Sequence, residues 1–199
     1  MKRFFLILSL YIVSLCSCVA TNISAREILD KAAAKINLAK GIYADFSISA
    51  GKAGTQNGNI AIKGKKFNAR TSSSIVWFDG KTQWLYNKRN EEVNVSTPKS
   101  SQLASVNPYY FLTLYKKGYT MTQTSMTNGY KVHIVGKNNS IKEAYIQVDR
   151  NYNIKQIKIK QGQQWITITV RNMRTKSYAD STFRFNSKDF PKAEIIDLR

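Results

Sequence analysis

The sequence predicts a single α+β domain built on one highly curved antiparallel sheet, with a few helices on the concave side of that sheet. Two observations support this prediction. Extended runs recur along nearly the whole chain, and only two segments have helical spacing. The 199 residues suffice for one domain with a real core. Because so many strands would share one sheet, we expect that sheet to curl or to close.

The N-terminus has the pattern of a secretory signal peptide. Lys2 and Arg3 precede an apolar run over residues 4–13, and small side chains follow up to Ala20. We predict a signal peptide over residues 1–20, one domain over residues 21–199, and a periplasmic location. A lipid-anchored form through Cys18 is the alternative, since residues 15–18 are similar to a bacterial lipobox.

One helix is clearly marked close to the predicted cleavage site. Ser24 and Glu27 form a capping box, and Ile28, Leu29, Ala32 and Ile36 recur at helical spacing. The segment before Gly41 ends with a lysine, as helix C-termini often do. We expect this helix to be amphipathic and to pack on the sheet.

Strands follow the helix, and the strongest signal is a meander over residues 75–95. Its first two strands are joined at Asp79 and Gly80, a typical hairpin turn pair. Trp77 and Phe78 are neighbours and must point to opposite faces, so both faces need cover. The cover on one side could be a bound apolar molecule. The other predicted strands of this half span residues 42–50, 58–64 and 66–72, and the Gly-rich residues 51–58 are predicted as a mobile hairpin end.

A second helix is predicted over residues 107–118, because Asn107 and Pro108 are typical of a helix start. This segment is unusually aromatic. It is either a core helix with tyrosine hydroxyls at the surface or a lid over the open side of the sheet. Strands then return, at residues 119–125, 130–135, 144–149, 154–160 and 165–170.

Charge and residue inventory exclude several classes of function. The 31 basic residues against 12 acidic ones give a net charge of +19, which favours polyanions and anionic membrane surfaces. A nucleic-acid-binding motif is absent from the sequence. His133 is the only histidine and has no neighbouring cysteine or acid in sequence, so we predict a structural or surface role for it. We expect no enzyme activity, no catalytic residue, no metal site and no cofactor.

Several segments, in their order and spacing, carry a resemblance to a known family. They include Asp79-Gly80-Lys81-Thr82 with Trp84 and Tyr86, and Gly58-Asn59-Ile60 leading to Phe67-Asn68. The Asn107-Pro108 helix and a Phe-x-Phe plus Ile-Ile-Asp ending complete the set. On these residues the chain resembles the periplasmic outer-membrane lipoprotein carriers, the LolA-like proteins.

The resemblance implies an unclosed β-barrel whose helices act as a lid. Such a protein holds the acyl chains of lipoproteins in an apolar cavity, with Phe67 among the lining residues. The partners it implies are acylated lipoproteins, an inner-membrane lipoprotein-releasing transporter and an outer-membrane acceptor; we expect a monomer. Where the family has an arginine that latches the lid, this chain has Lys63 and Lys65, which we take as latch candidates.

From alternation and resemblance together we predict ten residues that line the cavity: Phe46, Ile48, Ile60, Ile62, Phe67, Trp77, Trp84, Tyr86, Phe111 and Leu112. The predicted function is a non-enzymatic carrier of lipidated cargo. Two alternatives remain open at this point. One is an envelope sensor or adaptor of the same fold that binds a lipid or protein; the other is a membrane-tethered acceptor of lipoproteins.

Overall fold

The fold is described from a computed structural model of the chain. It describes residues 23–35, 40–51, 54–99, 115–116, 118–137 and 141–199. The predicted signal peptide and most of the predicted second helix lie outside these ranges. In the described ranges, no helix has both the length and the apolar character needed to cross a membrane.

Helix α1 spans Ala25–Ala34 and begins as the capping pattern predicts. The Ser24 hydroxyl accepts a hydrogen bond from the backbone N–H of Glu27 at 3.1 Å, which satisfies one of the free donors at the helix start. Its buried residues, Ala25, Ile28, Leu29 and Ala32, form one stripe. The predicted continuation through Ile36 lies outside the described residues.

The described residues form a twelve-stranded sheet. Its strands in chain order are β1 Ile42–Ala50, β2 Thr55–Lys63, β3 Lys66–Thr71, β4 Ser74–Phe78, β5 Gln83–Asn87, β6 Glu92–Ser96, β7 Tyr119–Met126, β8 Gly129–Gly136, β9 Glu143–Asp149, β10 Ile154–Gln161, β11 Gln164–Thr175 and β12 Glu194–Asp197.

The sheet is open, and its spatial order is β12-β6-β5-β4-β3-β2-β1-β11-β10-β9-β8-β7. Every pair is antiparallel except β12, which runs parallel to β6. The unclosed sheet confirms the predicted fold class. Strand β12 was not predicted, and it makes the expectation of a purely antiparallel sheet wrong at one edge. After two short 3-10 helices, Asp180–Phe183 and Ser187–Asp189, the chain returns along β6 in the same direction.

The predicted hairpin end over residues 51–58 is wrong in its second half. Strand β2 begins at Thr55, and Gly58 pairs with Phe46 on one side and Thr71 on the other. A Cβ at Gly58 would lie 2.6 Å from Cζ of Phe46 and 2.3 Å from the carbonyl oxygen of Arg70. Glycine is therefore needed here because the Phe46 ring lies over the backbone, and not because the chain turns.

The turn between β4 and β5 forms around Asp79, as predicted. The Asp79 carboxylate accepts the backbone N–H groups of Lys81 at 3.0 Å and Thr82 at 2.9 Å. Gly80 adopts a φ of 104°, which a side chain would oppose. This local network confirms the meander that the sequence predicts.

Candidate functional site

The main hydrophobic cluster lies on one face of the sheet, which we call the inner face because α1 packs on it over β7 and β8. Strand register assigns every second residue to this face, among them Phe46, Ile60, Phe67, Val132 and Ile168. Together with Ile28 and Leu29 of α1 they belong to one continuous hydrophobic cluster. The inner face is therefore a single apolar surface that runs from β4 across the sheet to β8.

No charged side chain of β1–β4 or β7–β11 lies on the inner face. The polar residues that register places there, such as Gln56, Ser74 and Gln123, are uncharged. An ionised group on this surface would lose its hydration without gaining a partner. The chemistry of this face therefore suits contact with hydrocarbon and not with a charged group.

Five of the ten predicted cavity residues meet on the inner face: Phe46, Ile48, Ile60, Ile62 and Phe67. All belong to the core cluster or pack against it, and Ile48 is the one that is only partly buried. Phe67 has no exposed surface, and its ring lies 5.5 Å from that of Phe78. Strand register therefore places these five predicted cavity residues on one surface.

Trp77, Trp84 and Tyr86 lie on the opposite, outer face, so the prediction that they share a surface with Phe67 is wrong. Phe67 pairs with Phe78, and Trp77 is the next residue along β4 and points the other way. Trp77 and Trp84 face each other in the β4–β5 register. The physical reason is the two-residue period of a strand, which runs of neighbouring apolar residues in β4 and β5 obscure in the sequence.

The outer face of β4–β6 is covered by the C-terminal segment of the chain. Trp77 contacts Phe185 and Phe190 edge-on, with both ring centroids at 5.5 Å, and Tyr86 lies 4.7 Å from Phe190. Phe183, in the first 3-10 helix, has no exposed surface. This small outer core is separate from the inner cluster, and protein rather than ligand supplies its cover.

Phe111 and Leu112, the last two predicted cavity residues, lie outside the described residues. Tyr115 follows them and is described: it is buried in the inner cluster, and its hydroxyl donates to the Asp30 carboxylate of α1. Strand β7, which follows Tyr115, is one edge of the sheet. Strand β6 lies next to the opposite edge strand, β12. Tyr115 thus ties the chain entering β7 to the helix that covers the inner face.

The two latch candidates differ. Lys63 donates to the Tyr178 carbonyl at 2.9 Å and to the Asp180 carboxylate at 3.2 Å. Lys66, which was not predicted, binds the same carboxylate at 2.7 Å. Lys65 is exposed and makes no ion pair within the described ranges. In the described residues Lys63 therefore fastens the C-terminal segment to the outer face, whereas its predicted role as a latch for a lid remains a prediction.

Asp180 gives this contact a pH dependence. The hydrogen bond from Lys66, followed by that from Lys63, lowers the pKa of Asp180. A lowered folded-state pKa adds stability above the ordinary carboxyl pKa, and this stability is lost as pH falls through the folded value. We expect Asp180→Asn to lower the thermal midpoint of unfolding slightly at neutral pH. In acid we expect no difference, because residue 180 is then neutral in both the unmodified protein and the variant. Asp189→Asn, an exposed residue of the same segment, is the control; an equal loss for both variants would contradict the assignment.

His133 has a partner that its sequence neighbours do not reveal. Its Nε2 lies 3.0 Å from the Glu143 carboxylate on the neighbouring strand, and its ring stacks on Tyr145 at 4.3 Å. His133 is half-buried, and the structural or surface role expected for it stays a prediction; the absence of a neighbouring acid holds only along the sequence. Within the described part of the chain, no group of three or more acidic, histidine or cysteine side chains is placed to hold a metal ion.

The comparisons with known proteins agree with this geometry. The family model described as outer membrane lipoprotein carrier protein LolA matches residues 15–163. The chain belongs to the LolA family. No curated protein sequence matches it significantly.

Solved structures are similar to this chain at low sequence identity. An uncharacterized conserved protein from Thermus thermophilus is similar with a TM-score of 0.57 and 11% identity, over 87% of this chain and 98% of that one. A LolA superfamily protein from Nitrosomonas europaea gives a TM-score of 0.48 and 10% identity, over 82% of this chain and 98% of the other. At 11% identity the likeness to the Thermus thermophilus protein concerns the fold alone.

Proposed function

We propose that this protein is a periplasmic carrier that holds the acyl chains of lipoproteins against the inner face and shuttles them from the inner to the outer membrane. The observation that carries the proposal is the continuous hydrophobic cluster of the inner face, which has no charged side chain on β1–β4 or β7–β11, on an open sheet. Membership of the LolA family supports the same conclusion. The partners would be acylated lipoproteins, a releasing transporter in the inner membrane and an acceptor in the outer membrane.

The energetics of acyl-chain burial favour a carrier whose cover moves. Burying hydrocarbon gains roughly 0.8 kcal/mol per methylene, and two acyl chains are held far more firmly than one, so a bound diacylated cargo would dissociate slowly. The residues of the inner face are already buried by protein, with Ile28, Leu29 and Tyr115 in the same cluster. An acyl chain must therefore displace part of this cover, and the Tyr115–Asp30 hydrogen bond is a contact that would have to open.

Ile48→Asp tests the site directly. Ile48 lies on the inner face next to Phe46 and is only partly buried, so a carboxylate there can stay hydrated in the free protein. An acyl chain would have to desolvate that charge, and we expect at least about tenfold weaker binding of a fluorescent diacylated lipopeptide. Thermal unfolding establishes that the variant is folded.

Ser49→Asp is the matched control, because Ser49 is the next residue of β1 and points to the outer face, opposite Thr55 and Thr167. We expect unchanged lipopeptide affinity for this variant. Equal losses in both variants, or none in either, would contradict the inner face as the acyl site. Ile48→Ala keeps the test decisive if Ile48→Asp does not fold, since removing apolar surface without adding charge should still weaken binding.

Transfer distinguishes a carrier from a sensor or adaptor of the same fold. A carrier takes a labelled lipoprotein from donor membranes and releases it to acceptor membranes, whereas a sensor binds it and keeps it. A native mass spectrum of the purified protein is expected to show co-purified acylated molecules. Mass spectrometry of the mature N-terminus separates a soluble chain that begins at Thr21 from a tethered one acylated at Cys18.

A further inference from the structure

A second candidate site lies on the outer face, away from the acyl surface. Five side chains of β8–β11 line a cleft of about 370 Å³, which we call the basic cleft: Lys131, Tyr145, Gln147, Lys158 and Trp165. Cross-strand register produces it. Lys131 is paired with Gln147, and Tyr145 with Lys158, so that cations from β8 and β10 flank the polar residues of β9.

The two lysines of the basic cleft are free to bind an anion. Within the described residues neither Lys131 nor Lys158 forms an ion pair or a side-chain hydrogen bond. The nearby carboxylate, Glu143, is occupied by His133 at 3.0 Å and by Lys160 at 3.3 Å. The cleft therefore has an excess of positive charge with no internal anion to neutralise it.

Aromatic side chains form one wall of the basic cleft. The Trp165 ring lies 5.6 Å from Tyr145, which in turn stacks on His133 at 4.3 Å. Trp165 and Tyr145 are both partly exposed. Such amphipathic rings favour the headgroup level of a bilayer, where one part is in contact with hydrocarbon and another with water. A soluble anion would use the lysines but would gain little from this wall.

We propose that the basic cleft docks the protein on anionic phospholipid membranes, with a lipid phosphate between Lys131 and Lys158 and with Trp165 and Tyr145 at headgroup depth. The net charge of +19 draws the whole chain towards such a surface, and the cleft gives it a defined orientation. In that orientation the inner face is directed away from the bilayer, because the two faces lie on opposite sides of one sheet. The proposal does not depend on which ligand the inner face binds.

The test is co-sedimentation of the purified protein with vesicles. Vesicles of phosphatidylglycerol and phosphatidylcholine are compared with vesicles of phosphatidylcholine alone. A lysine near an anionic surface contributes about fivefold to binding, so Lys131→Gln with Lys158→Gln should weaken binding to the anionic vesicles about 25-fold. Binding to pure phosphatidylcholine should not change. Trp165→Ala is expected to weaken binding to the anionic vesicles further.

Lys188→Gln with Lys192→Gln is the control, because it removes the same charge from two exposed lysines of the C-terminal segment. We expect about a twofold loss or less for this pair, through net charge alone. A loss equal to that of the cleft pair would overturn the proposal, since binding would then follow total charge and not the cleft. Saturable binding of inorganic phosphate by the unmodified protein, together with no binding to the anionic vesicles, would also overturn it, in favour of a soluble anion. Ile48→Asp should leave vesicle binding intact, which separates failure of this proposal from failure of the carrier function.

Discussion

Phe67→Ala is expected to lower the free energy of unfolding by about 3–5 kcal/mol, the range for removing a fully buried aromatic ring. Phe67 has no exposed surface, and register places it between Ile62 and Phe78 on the inner face. Its ring packs against Phe78 at 5.5 Å, a contact that adds to the burial energy. Urea denaturation, followed by far-ultraviolet circular dichroism, measures the loss.

Phe67→Leu provides the comparison for this experiment. It keeps most of the volume and should cost less than about 1.5 kcal/mol. A loss under about 1 kcal/mol for Phe67→Ala would show that the ring borders open space instead of packed protein, since a site without packed neighbours has few contacts to lose. The experiment therefore measures how tightly the inner face is filled before any acyl chain arrives.

Trp77→Ala is expected to cost a similar amount, about 3–5 kcal/mol, without changing the affinity of the folded protein for a lipopeptide. Trp77 is 3% exposed, but its neighbours are Phe185 and Phe190 of the C-terminal segment. Its loss opens the outer core, which holds that segment on the sheet, while the inner face keeps its own residues. Chemical denaturation and lipopeptide titration, both at a temperature where the variant is folded, give the two quantities.

Trp77→Phe keeps an aromatic ring and should retain most of the stability. If Trp77→Ala weakened lipopeptide binding as strongly as Ile48→Asp does, the acyl site would extend to the outer face. The separation between the inner cluster and the outer core would then not determine where lipopeptide binds. Phe67 and Trp77 thus make a matched pair of large buried aromatics on opposite faces of neighbouring strands.

The strands and the first helix were predictable because their signals are local. Ser24 and Glu27 fix the helix start, and β1 has the predicted bounds because its apolar residues alternate with polar ones. Residues 157–160 alternate isoleucine with lysine and lie in β10 as expected. In each case the apolar residues recur with the same period as the side chains that face the core, so the sequence indicates which face is buried.

Partnerships between distant residues could not be predicted in the same way. Lys63 and Lys66 meet Asp180 from more than a hundred residues away. His133 finds Glu143 across a strand pair, and β12 joins β6 although its few residues carry no distinctive alternation. Such contacts depend on strand register and on the path of the C-terminal segment back to the sheet. Neither can be inferred from a local sequence pattern.

Alternation and composition alone predicted a curved sheet, a capped helix and a large excess of basic residues, because each depends on neighbouring residues or on totals, whereas the family resemblance alone implied that the sheet is unclosed. Only the tertiary structure decided which aromatics face inward. In the β4–β5 meander both faces carry apolar residues, and the sequence cannot distinguish the side that joins the inner cluster from the side that the returning C-terminal segment covers. The same holds for the basic cleft, since Lys131 and Lys158 become neighbours only when β8, β9 and β10 pair in register. The physical reason is that a strand residue is buried or exposed according to the face of the sheet on which it lies. Such a face forms only when strands from distant parts of the chain pair with each other.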